Sequence, residues 1–130
     1  MNNKPECKTY ADGTKIWLQN GERHREDGPA VEWAFGTTEW YIKGKHHRED
    51  GPAVESQDGT RGWFLHGERH REDGPALEYA SGTKQWFLND EEVDPETIVD
   101  LWLAKGVFCW YDETNDCLDF GGKNEEVHQM

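Results

Sequence analysis

The stretch His-Arg-Glu-Asp-Gly-Pro-Ala stands at residues 24–30 and returns unchanged at 47–53 and 70–76, 23 residues apart each time. Trp17, Trp40, Trp63 and Trp86 keep the same spacing, as do Gly13, Gly36, Gly59 and Gly82. A fixed period of this length marks a repeat architecture, in which each unit leans on its neighbours. Whatever His24 does, His47 and His70 are expected to do as well. Catalytic sites are seldom built in triplicate, so the pattern points to a repetitive surface.

Residues 29–51 show the unit. Pro29 opens the run Ala30-Val31-Glu32-Trp33, which has strand composition. Ala34-Phe35-Gly36 follows as a turn, with Gly36 supplying the positive φ that the turn needs. Thr37 to Ile42 is the return strand, with Thr38, Trp40 and Ile42 on one face and Glu39 and Tyr41 on the other. Lys43-Gly44 makes a second turn, and the next heptapeptide begins at His47. In that connector Asp is expected to accept backbone N–H groups, Gly to take positive φ, and the imidazole to pack on a Trp.

The fourth unit breaks the pattern. Val93-Asp94-Pro95-Glu96-Thr97-Ile98-Val99 stands where the heptapeptide belongs. Asp94 suits an N-cap, Pro95 the first helical position and Glu96 the positive end of the dipole. A helix from Pro95 to Lys105 is expected, ending at Gly106, with Ile98, Leu101 and Trp102 on one face and Val99 and Leu103 widening it. Val107–Tyr111 and Cys117–Phe120 read as a short hairpin. The expected fold is mainly β: an elongated antiparallel meander of 23-residue hairpin repeats over 1–92, capped by one C-terminal helix and a short hairpin over 93–120. A flexible tail is expected over 121–130. The cap is expected to cover the open sheet end, whose backbone groups would otherwise stay unpaired.

The mean hydropathy of -1.05 is low, yet seven Trp, four Tyr and five Phe at regular places argue for an ordered, thin fold. The net charge of -13 is uneven. Twelve acidic residues against Lys105 and Lys123 give -10 over residues 90–130, leaving -3 for residues 1–89. This balance disfavours nucleic acid and anionic membranes as partners, and favours a basic protein surface. Cys7, Cys109 and Cys117 have no CxxC spacing, and no leader or spanning run is evident, so a cytoplasmic protein is expected. A Cys109–Cys117 disulfide would require the two to face one another.

The 23-residue period, the aromatic pair Trp40-Tyr41, Gly44, His47, Gly51 and the Trp33-to-Gly36 turn resemble the MORN repeat, in its divergent form from bacterial and phage proteins. The resemblance covers about residues 9–92. It implies a β-hairpin scaffold for protein contacts, and lipid contacts in some arrays, which the acidic balance here opposes. The chain departs from it at Arg-Glu-Asp-Gly-Pro-Ala, where MORN units usually carry His-Gly-x-Gly. A bacterial or phage protein that binds and inhibits a partner is the function this implies.

Two sets of residues are candidates for binding. The first is the acidic set Asp90, Glu91, Glu92, Glu96, Asp100, Asp112, Glu113, Asp116 and Asp119, able to dock on a basic surface or to mimic nucleic acid in a basic site. The second is the repeated row His24, Arg25, His47, Arg48, His70, Arg71 with Trp17, Trp40 and Trp63. Its forks suit carboxylates or a small phosphorylated ligand. A shared metal is not expected, because ligands lie about 2.0–2.1 Å from zinc while equivalent histidines stand about 10 Å apart. No cofactor and no catalytic constellation is expected. The exposed Trp row admits a homodimer as well as a monomer.

Overall fold

A computed structural model describes residues 4–120. The first repeat holds β1 (Glu6–Thr9), β2 (Lys15–Gln19) and β3 (Glu22–Arg23). The second holds β4 (Val31–Glu32), β5 (Thr38–Glu39), β6 (Tyr41–Ile42) and β7 (Lys45–His46). The third has β8 (Val54–Glu55), β9 (Arg61–Gly62), β10 (Phe64–Leu65) and β11 (Glu68–Arg69). The fourth has β12 (Leu77–Glu78), β13 (Lys84–Gln85), β14 (Phe87–Leu88) and β15 (Glu91–Glu92). Then come α1 (Pro95–Ala104), β16 (Cys109–Asp112) and β17 (Cys117–Phe120).

The expected meander is present. The sheet runs β1-β2-β4-β5-β8-β9-β12-β13, antiparallel between neighbours, with β3 beside β2. One face carries the row Ile16, Val31, Glu39, Val54, Gly62, Leu77, Gln85. The other carries Lys15, Glu32, Thr38, Glu55, Arg61, Glu78, Lys84, where most neighbours are of opposite charge. The predicted return strand is divided at Trp40: β5 stays in the sheet, while β6 turns to pair with β7. Its turn is of the I′ kind, with φ 50° at Lys43 and 80° at Gly44.

Bonds between repeats hold both sides of the array. On the side of the Gly36 turn, Thr14, Thr37 and Thr60 each accept the N–H of Ala34, Gln57 and Ala80 at 3.0, 3.1 and 3.0 Å. On the other side the N–H groups of Arg25, Arg48 and Arg71 reach the carbonyls of Tyr41, Phe64 and Phe87. Ala30, Ala53 and Ala76 are fully buried, so the last heptapeptide position leaves no room for a larger side chain. A thin array stabilised by its neighbours replaces one large core.

The cap contains the main hydrophobic cluster. Trp86, Ile98, Val99, Cys109 and Leu118 are buried together, with Leu88, Val93, Trp102, Tyr111 and Phe120 packed against them. The helix ends at Ala104, with Gly106 at φ 84°. Asp94 has the extended backbone of an N-cap, but its carboxylate makes no capping bond; the Asp94 carbonyl receives the Thr97 N–H instead. Leu101 and Leu103, expected on the buried face, are exposed, because Ile98, Val99 and Trp102 already fill the contact. The β16–β17 hairpin forms its own two-stranded sheet, so the cap covers the end with side chains and does not extend β13 by backbone pairing. Lys84 nevertheless ties the two, donating to the carbonyls of Asn115 and Asp116.

Cys109 pairs with Phe120 and Cys117 with Asp112, so the two thiols do not face one another and all three cysteines are free. No helix among the described residues is long and apolar enough to cross a membrane. The expected tail at 121–130 lies outside the described residues.

Candidate functional site

The heptapeptide residues meet mostly one another. Each arginine lies over the tryptophan eight positions before it: the guanidinium carbons of Arg25, Arg48 and Arg71 stand 3.9, 4.0 and 3.8 Å from the ring centroids of Trp17, Trp40 and Trp63. The Arg25, Arg48 and Arg71 Nε groups donate to Asp27, Asp50 and Asp73 at 3.1, 3.0 and 2.9 Å. Their Nη1 groups donate to the carbonyls of Pro29, Pro52 and Pro75 at 3.1, 3.1 and 3.0 Å. A planar fork with several donors is needed to make these contacts at once. Arg71 adds a bond to Glu78 at 3.1 Å.

This geometry corrects the expected roles of the connector residues. Gly28, Gly51 and Gly74 do not have positive φ; a Cβ on them would stand 2.8, 2.9 and 2.6 Å from the Cζ of their own arginine. Glycine is there to let the guanidinium close over the loop. Asp accepts the arginine, not backbone N–H groups. The group over each Trp is a guanidinium and not an imidazole.

The histidines link repeats. Nδ1 of His24, His47 and His70 accepts the N–H of Lys43, His66 and Asn89 at 2.9, 2.9 and 3.0 Å, 19 residues downstream each time. These three acceptors are opposite the positive-φ residues that open the I′ turns. Nε2 faces Glu26, Glu49 and Glu72 at 3.5, 3.5 and 3.0 Å. The His70 bond, with burial opposing it and Lys105 assisting, holds the Glu72 carboxyl below the usual range.

The connectors stand apart as ridges, and grooves lie between them. One groove of about 640 Å³ has Trp40 and Ile42 between Glu26-Asp27 and His47 to Asp50. The next, of about 550 Å³, has Trp63 and Leu65 between Arg48 to Gly51 and His70 to Asp73, with Trp102 at its edge.

The acidic set is divided by its bonds. Asp90 takes the Arg69 guanidinium at 2.6 Å, which holds its carboxyl below the usual range. Asp112 organises its own turn, accepting the Asn115 side chain at 2.8 Å and two backbone N–H groups; its carboxyl too is held low, chiefly by Asn115. Asp116 accepts the Tyr111 hydroxyl at 2.7 Å, which pushes that phenol up to about 12. Glu92 lies 3.5 Å from the Gln85 amide, and Asp119 is opposite Trp110 in the hairpin. Glu91, Glu96, Asp100 and Glu113 are exposed. Glu96, Asp100 and Leu103 share one helix face at i, i+4 and i+7. Next to them the cap exposes Phe108 (58%), Val107 and Trp110, with Phe108 and Trp110 in ring contact at 5.6 Å.

Sequence reasoning missed a further cluster, at Glu39 on the sheet face that carries Val31 and Val54. Glu39 accepts the Trp33 indole at 2.6 Å and the Tyr41 hydroxyl at 2.8 Å, while His46 Nε2 lies 2.8 Å away. The His46 bond foremost, with the Trp33 and Tyr41 bonds, lowers the Glu39 carboxyl to about 2 against the cost of burial. The equivalent positions carry Ile16, Gly62 and Gln85, and that break in the period was the signal.

Among the described residues no group of three or more His, Cys, Asp or Glu side chains is arranged to hold a metal. No protein-family model, no curated protein and no solved structure matches the chain. The site's chemistry therefore rests on its own geometry.

Proposed function

We propose that the chain is a non-enzymatic protein-binding module for a basic partner, with the C-terminal cap as its principal contact surface. The supporting observation is the concentration of exposed apolar side chains on the cap, Leu103, Val107, Phe108 and Trp110, within the segment that carries most of the net charge. Aromatic anchors bordered by carboxylates suit a partner surface with apolar hollows and Lys or Arg around them. The array then acts as a rigid base, as the resemblance to MORN-like arrays implies. The arginine row has its Nε and Nη1 donors engaged within the connectors, which favours the cap as the contact.

The test compares the wild type with Phe108→Ser/Trp110→Ser in affinity capture from the producing cells. A partner held by the wild type is lost by the variant at unchanged melting temperature, and its retention falls as salt rises. Equal retention by the two proteins, or salt-independent binding, would overturn the reading.

A further inference from the structure

The cap shows what an inter-repeat groove can hold. α1 begins where a fourth heptapeptide would stand and reaches back to the third. The Trp102 indole donates to the Glu72 carbonyl at 2.6 Å, and the Lys105 ammonium lies 3.5 Å from the Glu72 carboxylate. Lys105 also stands 4.9 Å from the Trp102 ring centroid. Trp86 and Leu88, the fourth-repeat counterparts of the groove residues, are packed in the cluster with Ile98 and Val99. The third groove is thus filled by the chain's own amphipathic helix.

The two preceding grooves share part of this arrangement, although each of their tryptophans carries its connector arginine on one face, where Trp86 has α1. Trp40 with Ile42, and Trp63 with Leu65, occupy the places of Trp86 with Leu88. Glu26 and Glu49 occupy the place of Glu72, and their side chains are 79% and 81% exposed, against 45% for Glu72 beside α1. That difference measures what the helix covers. Glu26, Asp27, Glu49 and Asp50 border these grooves, so charge favours a basic occupant.

We propose that the Trp40–Ile42 and Trp63–Leu65 grooves dock an amphipathic helix of a partner protein, bearing an indole and a Lys or Arg three residues later. The apolar face of such a helix lies on Ile42 or Leu65 and on the part of the Trp that lines the groove beyond the connector guanidinium. Its indole N–H meets the exposed connector backbone, and its cation meets Glu26 or Glu49. This surface is separate from the cap patch, and neither reading requires the other.

The probe is a fluorescein-labelled synthetic peptide of residues 93–106 carrying Glu96→Lys and Asp100→Lys, titrated with the full chain by anisotropy. Saturable binding is expected, weakened about tenfold by Glu26→Lys/Glu49→Lys in the protein or by Trp102→Ala in the peptide. Phe108→Ser, which alters only the cap patch, leaves this binding unchanged. Glu26 and Glu49 are exposed, so the double variant keeps the wild-type melting temperature. Absence of saturable binding overturns the proposal. So does equal binding by the Trp102→Ala peptide, which would reduce the effect to charge attraction, or loss through Phe108→Ser, which would place the peptide on the cap.

Discussion

The Arg48 guanidinium lies 4.0 Å above the Trp40 ring, in space that Gly51 leaves open. Stack, loop and glycine form one device, written three times. It explains why the heptapeptide tolerates no drift: the arginine reaches back to a tryptophan, the aspartate and the proline carbonyl hold the fork, and any Cβ at the glycine would collide with it. Gly51→Ala is expected to lower stability by about 1–3 kcal/mol, the range for overpacking. In an Arg48→Ala background the same change costs much less. Chemical denaturation of the four proteins gives the coupling, and additive effects would contradict the device.

The imidazoles predict a pattern in exchange and in tautomer. Because Nδ1 accepts a backbone N–H, a neutral ring carries its proton on Nε2. Nitrogen chemical shifts should show that tautomer at His24, His47 and His70. His24→Ala should speed amide exchange at Lys43, 19 residues away, and lower stability by about 1 kcal/mol.

Glu39 predicts acid sensitivity. Its carboxyl is lowered from 4.5 to about 2 in the folded chain, so the stability it contributes is complete above 4.5 and is lost as pH falls toward 2. Glu39→Gln should lower stability at neutral pH by about 1–3 kcal/mol, since three bonds to a charged acceptor change at once. It should also flatten the fall of melting temperature between pH 4.5 and 2, read by circular dichroism. A wild-type curve already flat over that interval would contradict the assignment.

Much of this was legible in the sequence because the period is explicit. The repeat, the turns at Gly36 and Gly44, the change at Val93 and the helix from Pro95 all follow from spacing and turn chemistry. What was not legible lies in contacts that spacing does not encode. The His24 Nδ1 bond to Lys43 depends on how one unit stands beside the next, and the Arg25 stack on Trp17 depends on how the connector folds back within its own unit. Leu101 was misplaced for a similar reason: helical periodicity defines a wide apolar face, while the thin array offers contact only to Ile98, Val99 and Trp102. The candidate acidic set was legible as charge, but not which members already serve Arg69, Tyr111 or their own turn.

The cap predicts its own failure mode. Trp86→Ala removes the array's fully packed member of the main cluster and is expected to cost about 3–5 kcal/mol. Trp102→Phe, which loses the bond to the Glu72 carbonyl and part of the packing, should cost about 1 kcal/mol. Exchange measurements on the first variant should show α1 opening while β4, β5 and β8 stay protected.

The central claim is that the thrice-written heptapeptide builds the scaffold and that its arginines act inward. Calorimetric melting of Arg48→Ala, paired with the binding of a captured partner, tests it most directly. The expected result is a melting temperature lower by several degrees, consistent with the loss of about 2–3 kcal/mol of stacking and charge-assisted bonds, with affinity retained below the transition. Arg48→Lys should not restore it, because an ammonium cannot hold Asp50, Pro52 and the Trp40 ring together. An unchanged melting temperature with partner binding lost would contradict the account.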